Sequence, residues 1–433
     1  MQINKQLSFP YGAESIEIAL PDRIVFDGIM KGIEPADDLV TLLKKSLENP
    51  IGSPGLSQLV SAGDKVLVLV EDNTRNTPVK SILPVLIDYL KTCGIPASDI
   101  EILTAPGTHR VMTEPELIEK VGQRIFDSIR ISQHDFRQAD SLSDLGSVDA
   151  GGYRIPIRIN KKVQAVDFII GIGNIIPHCD AGYSGGAKIL QPGICGYSTT
   201  AATHAAAALL EEIPLGVVEN PCRLGMEEVA KRAGLRFIIN TVMNNRNEVI
   251  DIVSGDFVEA HRRGASLSKK AFGVEIPEPA DIVIVSSQPA DIDYWQAEKG
   301  IISAYFAVKK DGIIIFVAPC YEGLAHNHPK FPEWLKLSYA EAADRIRKID
   351  FDDEDADLVS ADLAICNARV REKAKIYCVS HGLDEKDFAI LEYKGFKDLQ
   401  SAIDAALAEI PDATIGLLPR GGDCLPMAAV AER

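Results

Sequence analysis

The sequence predicts an α/β protein of two domains with mainly parallel sheets and an active site in the cleft between the domains. Short apolar runs alternate with helical patterns, and turns rich in Pro and Gly separate them. Apolar strands joined by helices are typical of parallel sheets that helices cover. A Pro-rich break at residues 272–279 precedes a new series of strands. We therefore predict an N-terminal domain over residues 1–272, which residues 410–433 could complete, and a C-terminal domain over residues 280–409.

Strand and helix patterns follow one another regularly in the predicted first domain. Strands are predicted at residues 65–70, 100–104, 166–170, 237–242 and 249–253. Helical periodicity covers residues 79–91, 204–211, 220–233 and 256–271. Thr113 precedes a further helix and has Glu116 three residues later, which is the spacing of a capping box. Pro84 lies inside the first helical pattern and indicates a kink or a later start.

The predicted second domain shows the same alternation. Its strands are predicted at residues 281–286, 312–317, 375–379 and 414–418. Its helices are predicted near residues 298–308, 338–349 and 397–408. Because helical patterns fall between these strands, we expect the strands to pair in parallel.

Composition narrows the class of protein. Among 433 residues, 45 Lys and Arg stand against 62 Asp and Glu, which gives a formal net charge of −17 and disfavours nucleic-acid and membrane partners. The first residues contain no apolar signal-peptide core, and no apolar run reaches the roughly 20 residues of a membrane span. We therefore expect a cytoplasmic protein. The eight cysteines form no CxxC pair, so we expect free thiols rather than an iron–sulfur or structural zinc site.

Polar side chains gather after the predicted strands, at the end where ligands bind in open α/β sheets. In chain order they are Asp72, Thr74 and Arg75, then His109, then His178, and finally Gln296 and Lys299. A single histidine at a strand end is usually structural. Two of them can supply a proton-transfer group on each side of a substrate.

The segment from Gly171 to His204 is the most unusual part of the chain. It combines His178, a glycine cluster, Lys188 and His204. Lysine can anchor a ligand covalently, histidine can ligate a metal, and glycine lets the backbone approach a ligand closely. The segment lacks the third glycine of a dinucleotide fingerprint and the spacing of a phosphate loop. A tight turn with a solvated lysine is the alternative interpretation.

The other candidates also have ordinary structural explanations. Arg75 could pair with an aspartate at a helix cap, and His204 could be a plain helix residue. Lys299 could be solvated, or it could bind a substrate carboxylate together with Gln296, which lies three residues earlier on the same helical face. The HNH segment at residues 326–328 could bind a metal, but we favour a surface loop.

Together these motifs resemble the nickel-pincer-dependent lactate racemase family. The matching segments are DNTRNTP from Asp72, GTHR ending at Arg110, PHCDAGYSGGAK ending at Lys188 with PG and TTAATH after it, and YWQAEKG ending at Gly300. They occur in family order and at close to family spacing, and no comparable motif follows Gly300. The family fold is two α/β domains with the active site between them, which agrees with the alternation described above.

The resemblance implies an unusual cofactor, a pyridinium mononucleotide whose two sulfur-containing substituents hold nickel through sulfur, carbon and sulfur. Lys188 matches the lysine that anchors this group covalently, and His204 matches the fourth nickel ligand. Imidazole suits Ni(II) in a square-planar site. Residues that would lie along the cofactor are Asp72, Thr74, Ser184 and Gly186.

The resemblance also implies the reaction, racemisation or epimerisation of a 2-hydroxy acid through hydride transfer to the cofactor and a transient 2-keto acid. His109 and His178 match the acid/base pair, so we expect activity to fall at acidic pH. Arg75, Gln296 and Lys299 match the residues that orient the substrate and its carboxylate. Cofactor-biosynthesis enzymes are the implied partners. A non-catalytic carrier of cofactor or nickel, and an NAD-dependent 2-hydroxy acid dehydrogenase, are the alternatives.

Overall fold

The computed structural model describes residues 4–150, 152–325 and 328–428. In chain order the strands are β1 (Asn4–Tyr11), β2 (Glu14–Pro21), β3 (Ile24–Asp27), β4 (Val66–Val70), β5 (Ile100–Thr104), β6 (Arg130–Gln133), β7 (Leu142–Ala150), β8 (Tyr153–Asn160), β9 (Phe168–Asn174), β10 (Pro177–His178), β11 (Gly182–Tyr183), β12 (Leu235–Met243), β13 (Val249–Gly255), β14 (Gly273–Ile276), β15 (Ala280–Ser286), β16 (Val308–Val317), β17 (Ala374–Val379), β18 (Lys394–Phe396), β19 (Ile415–Leu418) and β20 (Leu425–Ala428).

The α-helices of the described residues follow in the same order. They are α1 (Leu39–Glu48), α2 (Leu56–Leu59), α3 (Val79–Thr92), α4 (Glu114–Val121), α5 (Gln123–Ser128), α6 (Tyr197–Ala208), α7 (Pro221–Ala233), α8 (Glu259–Phe272), α9 (Tyr294–Ala307), α10 (Phe331–Leu335), α11 (Tyr339–Ile346), α12 (Leu358–Lys373), α13 (Glu385–Leu391) and α14 (Leu399–Glu409). None of them combines the length and the apolar character that crossing a bilayer requires.

The chain divides into two compact units. The central unit contains Gly32–Ala271 and Asp350–Glu354. The terminal unit contains Met1–Lys31, Phe272–Ile349 and Asp355–Arg433, so the first and the last described residues, 4 and 428, both belong to it.

The central unit is built on a six-stranded sheet in the order β13-β12-β9-β4-β5-β6. All its pairs are parallel except β12 with β13. The central strand β4 is apolar and buried throughout, as is typical of a strand inside a parallel sheet. Its side chains pack with those of α3 and β5 in one apolar core that includes Val68, Leu86 and Ile102.

The terminal unit is built on a second six-stranded sheet in the order β18-β17-β16-β15-β19-β3, and every pair in it is parallel. Its apolar core contains side chains from three parts of the unit: Ile284 from the sheet, Ile18 from the β1–β2 hairpin and Ile403 from α14. The prediction of an α/β fold with mainly parallel sheets is confirmed by these two sheets.

The structure divides the chain differently from the predicted boundaries at both ends. The predicted N-terminal domain includes residues 1–31 and could be completed by residues 410–433, whereas the terminal unit contains the described residues 4–31 and 410–428. The physical reason is strand pairing between distant parts of the chain. Strand β3 pairs with β19 at the sheet edge, and β20 pairs with β14. Pairing of this kind leaves no periodicity in the sequence.

Most predicted elements are present, with shifts at their ends. The predicted strand at residues 100–104 is β5 itself, and α3 begins at Val79 and continues through Pro84. Thr113 and Glu116 form the predicted capping box of α4. Two helices begin earlier than predicted, α6 at Tyr197 and α9 at Tyr294, and these shifts place site residues on regular helix.

Candidate active site

Three neighbouring parallel strands of the central unit deliver polar side chains to one edge of the sheet. In the register of the sheet, Val70 at the end of β4 lies opposite Thr104 of β5 and Ile172 of β9. Asp72, His109 and His178 follow these three strand ends. The carboxyl edge of a parallel sheet is where ligands bind in folds of this kind. The fold therefore explains why residues so far apart in sequence follow the same edge of the sheet.

The loop between β4 and α3 is organised by the Asp72 side chain. Asp72 is buried, and its Oδ1 accepts hydrogen bonds from the backbone amide of Thr74 at 3.2 Å and from the Thr74 hydroxyl at 2.6 Å. The Arg75 guanidinium donates to the Thr74 hydroxyl at 3.1 Å. Arg75 is half-buried, so its planar fork is partly oriented while it remains accessible to an anion.

His109 forms a dyad with Asp72. Its Nδ1 lies 2.8 Å from Oδ2 of Asp72, the carboxylate oxygen that Thr74 does not use. Burial raises the pKa of Asp72, but the hydrogen bond and charge of His109, with the Thr74 hydroxyl, outweigh it and hold that pKa below its usual range. The carboxylate is therefore ionised and can only accept, so the proton of the neutral ring lies on Nδ1. Nε2 of His109 is then the nitrogen that accepts a proton.

His178 is held by a tight hairpin. Strands β10 and β11 pair His178 with Gly182, which has φ +73°, and a Cβ there would also collide with the Val217 carbonyl oxygen. The backbone amide of Asp180 donates to Nδ1 of His178 at 3.2 Å, and an Asp180 carboxylate oxygen lies 3.6 Å from the same nitrogen. Nδ1 is thus occupied by the hairpin, which makes Nε2 the nitrogen for chemistry.

Lys188 lies in a short 3₁₀ turn, Gly186–Ile189, after the glycine cluster. Its side chain is half-buried, and burial lowers the pKa of its amine, with a smaller opposing effect from Asp180 and a reinforcing one from Arg75. A lowered pKa enlarges the fraction of neutral amine, the nucleophilic form that makes covalent bonds.

Ser184 and Gly186 shape the backbone before Lys188. The Ser184 hydroxyl donates to the Asn174 carbonyl at 2.8 Å and accepts from the Ile176 amide at 3.0 Å. Gly186 has φ +59°, and a Cβ there would meet the His261 ring at 2.9 Å. Its amide donates to Asn240 at 2.8 Å. Both residues therefore serve the structure of the turn, whatever else they bind.

Two buried side chains, which no sequence motif marks, form hydrogen bonds with the backbone of the same turn. Arg223 of α7 donates to the carbonyls of Ala181 at 3.3 Å and Gly185 at 3.0 Å, and also to that of Tyr183. Burial lowers the pKa of Arg223 to about 10. His261 of α8 lies with Nε2 3.0 Å from the Ser184 carbonyl. Isolated polar residues in amphipathic helices look like solvated faces in a sequence, so no pattern marks them.

His204 lies near the end of α6 on a helix whose other residues are almost all buried. Its Nδ1 lies 2.9 Å from the carbonyl oxygen of Thr200, one turn earlier, so Nδ1 carries the proton and donates it. This bond fixes the ring and makes Nε2 the nitrogen that would bind a metal, as in metal sites whose histidines are oriented through their second nitrogen.

The terminal unit carries the remaining candidates on α9. Asp293 caps this helix by accepting from the Gln296 amide at 2.8 Å. Gln296 and Lys299 share one helical face, and the Lys299 ammonium donates to the Gln296 side-chain oxygen at 2.7 Å. Trp295, directly before Gln296, stacks on His328 with ring centroids 3.5 Å apart.

The HNH segment is only partly within the described residues, because His326 lies outside them. His328 is half-buried, and its Nδ1 is 3.9 Å from a carboxylate oxygen of Asp357. His328 lies in a loop, and its stacking on Trp295 gives it a packing contact beside α9.

The comparisons with known proteins agree with one another. The model of the lactate racemase N-terminal domain matches residues 11–213, and that of the C-terminal domain matches residues 276–424. The lactate racemase of Thermoanaerobacterium thermosaccharolyticum is 29% identical over 426 residues, 96% of this chain and 97% of that protein. The lactate racemase of Lactiplantibacillus plantarum is 33% identical over 285 residues, 65% of this chain and 66% of that protein. This chain belongs to the lactate racemase family.

Racemases are isomerases. Solved structures also support the assignment of this chain to the lactate racemase family. The lactate racemase apoprotein from Thermoanaerobacterium thermosaccharolyticum superposes with a TM-score of 0.85 and 28% identity, over 98% of this chain and all of that one. A crystal structure of a Thermotoga maritima protein has a TM-score of 0.69 at 22% identity, over 92% of this chain and 100% of that one, and shares the fold. The family predicted from the motifs is confirmed.

Proposed function

We propose that this member of the lactate racemase family is a nickel-pincer-dependent racemase or epimerase of a 2-hydroxy acid. The observation that carries the proposal is the pair of differently held histidines at one sheet edge, His109 on Asp72 and His178 in its hairpin. Racemisation needs a proton-transfer group for each enantiomer, and a carrier protein would need neither. Lactate is the first substrate to test, since two relatives are lactate racemases.

The residues present fit the nickel-pincer nucleotide. Lys188 offers an amine whose pKa burial has lowered, as a covalent anchor requires. His204 offers an imidazole already fixed through Nδ1, and imidazole is a suitable ligand for Ni(II). Asp72, Thr74, Ser184 and Gly186 are the other residues that we assign to the cofactor. When bound, the group supplies an electrophile that accepts the Cα hydride of the substrate, which leaves a transient 2-keto acid.

The chain's own residues carry the proton. Nε2 of His109 takes the hydroxyl proton of one enantiomer, and the Asp72 carboxylate stabilises the positive charge that forms on the ring. We assign this task for the other enantiomer to His178, whose Nε2 can accept the proton once the neutral ring carries its own proton on Nδ1, facing the Asp180 carboxylate 3.6 Å away. Removing the hydroxyl proton while hydride leaves Cα avoids a second negative charge beside the carboxylate.

The carboxylate of the substrate needs a cation that holds it throughout the reaction. We assign Arg75 to this role because its guanidinium offers a bidentate donor pair and is partly oriented by Thr74. Orienting the substrate is also the role that we propose for Gln296 and Lys299. The enzymes that make the cofactor are the proposed partners, in a cytoplasmic setting.

The decisive experiment is co-expression with the cofactor-synthesis enzymes and nickel, followed by incubation with single-enantiomer 2-hydroxy acids and a chiral assay of the products. We expect inversion of at least one acid, and an intact-mass adduct that Lys188→Ala removes. Lys80→Ala, an exposed lysine of α3, is the matched control and keeps the adduct.

Two outcomes would contradict the proposal. An adduct of the same mass on Lys188→Ala would refute the anchor. Substantial two-way turnover in His109→Ala or His178→Ala would refute the two-base scheme. Cofactor and nickel retention without turnover on any acid of the panel would instead support a carrier, and net oxidation with free NAD would support a dehydrogenase.

A further inference from the structure

Helix α4 contains a buried lysine that the proposed mechanism does not use. Lys120 is 8% exposed, yet its ammonium ends beneath the loop that carries Asp72 and Arg75. It donates to the carbonyl oxygen of Arg75 at 2.7 Å and to that of Thr77 at 3.4 Å. One side chain thus joins two backbone groups on either side of Asn76 and closes the loop onto α4.

The position of Lys120 is electrostatically costly. Burial lowers the pKa of its amine, while the charges of Glu71 and Asp72 act in the opposite direction and Arg75 reinforces the lowering. A buried cation is a poor source of stability unless its hydrogen bonds repay the loss of water. Lys120 donates its hydrogen bonds to the backbone of the loop. The buried lysine therefore restrains the conformation of this loop.

A second contact of α4 reaches the same loop and the segment after β5. Glu116 accepts from the Asn73 side chain at 3.2 Å and from the Arg110 guanidinium at 2.6 and 2.8 Å. Arg110 is the residue directly after His109. Helix α4 is therefore bonded both to the loop that carries Arg75 and to the segment that carries His109.

We infer that Lys120 is a positioning residue that fixes the Arg75 loop for binding of the substrate carboxylate. It acts through the Arg75 backbone and touches no substrate. The kinetic consequence rests on the proposed function, whereas the ordering of the loop does not. Since misplacement by about 1 Å can cost up to about 100-fold in rate, a loosened loop should be visible in kcat/KM.

The test compares Lys120→Met with Lys80→Met. Lys80 pairs with Glu119 across the same two helices, α3 and α4, but both side chains are exposed. In the protein without cofactor, we expect hydrogen exchange of the amides in residues 71–78 to accelerate at least about 10-fold in Lys120→Met and to stay unchanged in Lys80→Met. Lys120→Gln keeps one amide donor, so it should lie between wild type and Lys120→Met, and it serves if the methionine variant does not fold.

The kinetic arm uses a double-mutant cycle in the loaded enzyme. Lys120→Met should lower kcat/KM about 10- to 100-fold for both enantiomers, mainly by raising KM. In an Arg75→Ala background the same substitution should have little further effect, because the two residues act as one unit. Covalent attachment of the cofactor, measured by mass, should not change, because the anchor Lys188 lies outside this loop.

Equal exchange of residues 71–78 in the two methionine variants would overturn the inference. So would a full-sized effect of Lys120→Met in the Arg75→Ala background, which would indicate a general loss of stability. A wild-type enzyme that racemises no acid refutes the proposed function alone, since the exchange experiment still decides whether Lys120 orders the loop.

Discussion

Replacing Asp72 by Asn is the sharpest test of how the site is built. Oδ1 of Asp72 accepts hydrogen bonds from the Thr74 amide at 3.2 Å and the Thr74 hydroxyl at 2.6 Å. Its Oδ2 accepts from Nδ1 of His109 at 2.8 Å. Asparagine keeps the shape but has one oxygen. To preserve both bonds from Thr74, that oxygen must face Thr74, and the amide nitrogen then faces Nδ1 of His109 as a donor. The imidazole must become an acceptor at Nδ1, which moves its proton to Nε2, the nitrogen that should accept one.

The magnitude follows from the loss of general-base catalysis. A positioned base contributes about 10²- to 10⁴-fold, and the wrong tautomer of a catalytic histidine lowers kcat by about 10⁴-fold in a buried triad. His109 has a side chain 37% exposed, so water can help to relax the misplaced proton. We therefore expect a loss in kcat of about 10²- to 10³-fold, or about 3–4 kcal/mol.

The assay is the chirality of product from each pure enantiomer, with cofactor loading checked by intact mass. Asp88→Asn is the matched control, because Asp88 of α3 accepts a hydrogen bond from Arg124 at 3.1 Å on an exposed surface. If Asp72→Asn retained more than half of kcat at equal loading, the assignment of the dyad would be refuted.

The same substitution should also lower the stability of the fold. The pKa of Asp72 lies below its usual 3.8, so the carboxylate contributes its full stabilisation of the folded state above that pH and loses it only as pH falls below it. The difference in Tm between wild type and variant should therefore persist through neutral pH.

Three further predictions follow from single contacts. His204→Ala should lose nickel, measured by metal analysis, while the mass adduct on Lys188 remains; retention of stoichiometric nickel would contradict the ligand assignment. Arg75→Ala should lower kcat/KM about 10- to 100-fold, the worth of a charge-assisted hydrogen bond of about 1.5–3 kcal/mol, and Arg75→Lys should restore only part of it. The pKa of Glu116 is lowered to about 2, chiefly by Arg110, so Glu116→Gln should lower Tm at pH 7, with a difference that shrinks between pH 4.5 and 2.

The sequence predicted those parts of the fold that depend on local patterns. Strand β5 and the capping box of α4 have clear local signals. The early start of α9 was missed, although Asp293 followed by Gln296 three residues later is the spacing of an N-cap. Pairing of β3 with β19 joins residues almost 400 positions apart, as in Ile24 with Ile415, and nothing local encodes it.

The candidate site likewise has parts with a local sequence signal and parts that depend on contacts between distant residues. The motifs supplied every residue to which we assign chemistry, whether it stands in a turn after a strand or on helix α6 or α9. That His109 rests on Asp72 depends on β4 and β5 being neighbours in the sheet, which the sequence does not state. Lys120 and Arg223 had no signal at all, since a buried cation that donates to backbone carbonyls has no characteristic neighbour in sequence.

The two histidines are held in opposite hydrogen-bonding states, and this difference bears on the reaction. His109 donates through Nδ1 to a carboxylate, so its Nε2 can accept a proton and the resulting charge is stabilised. His178 accepts at Nδ1 from the Asp180 amide, so its neutral ring carries the proton on Nε2. A proton enters Nδ1 of His178 only when the ring turns from that amide toward the Asp180 carboxylate, 3.6 Å away. Before His178 can take a hydroxyl proton at Nε2, its ring proton must move to Nδ1, whereas His109 already has that arrangement, so the two bases differ before any substrate binds.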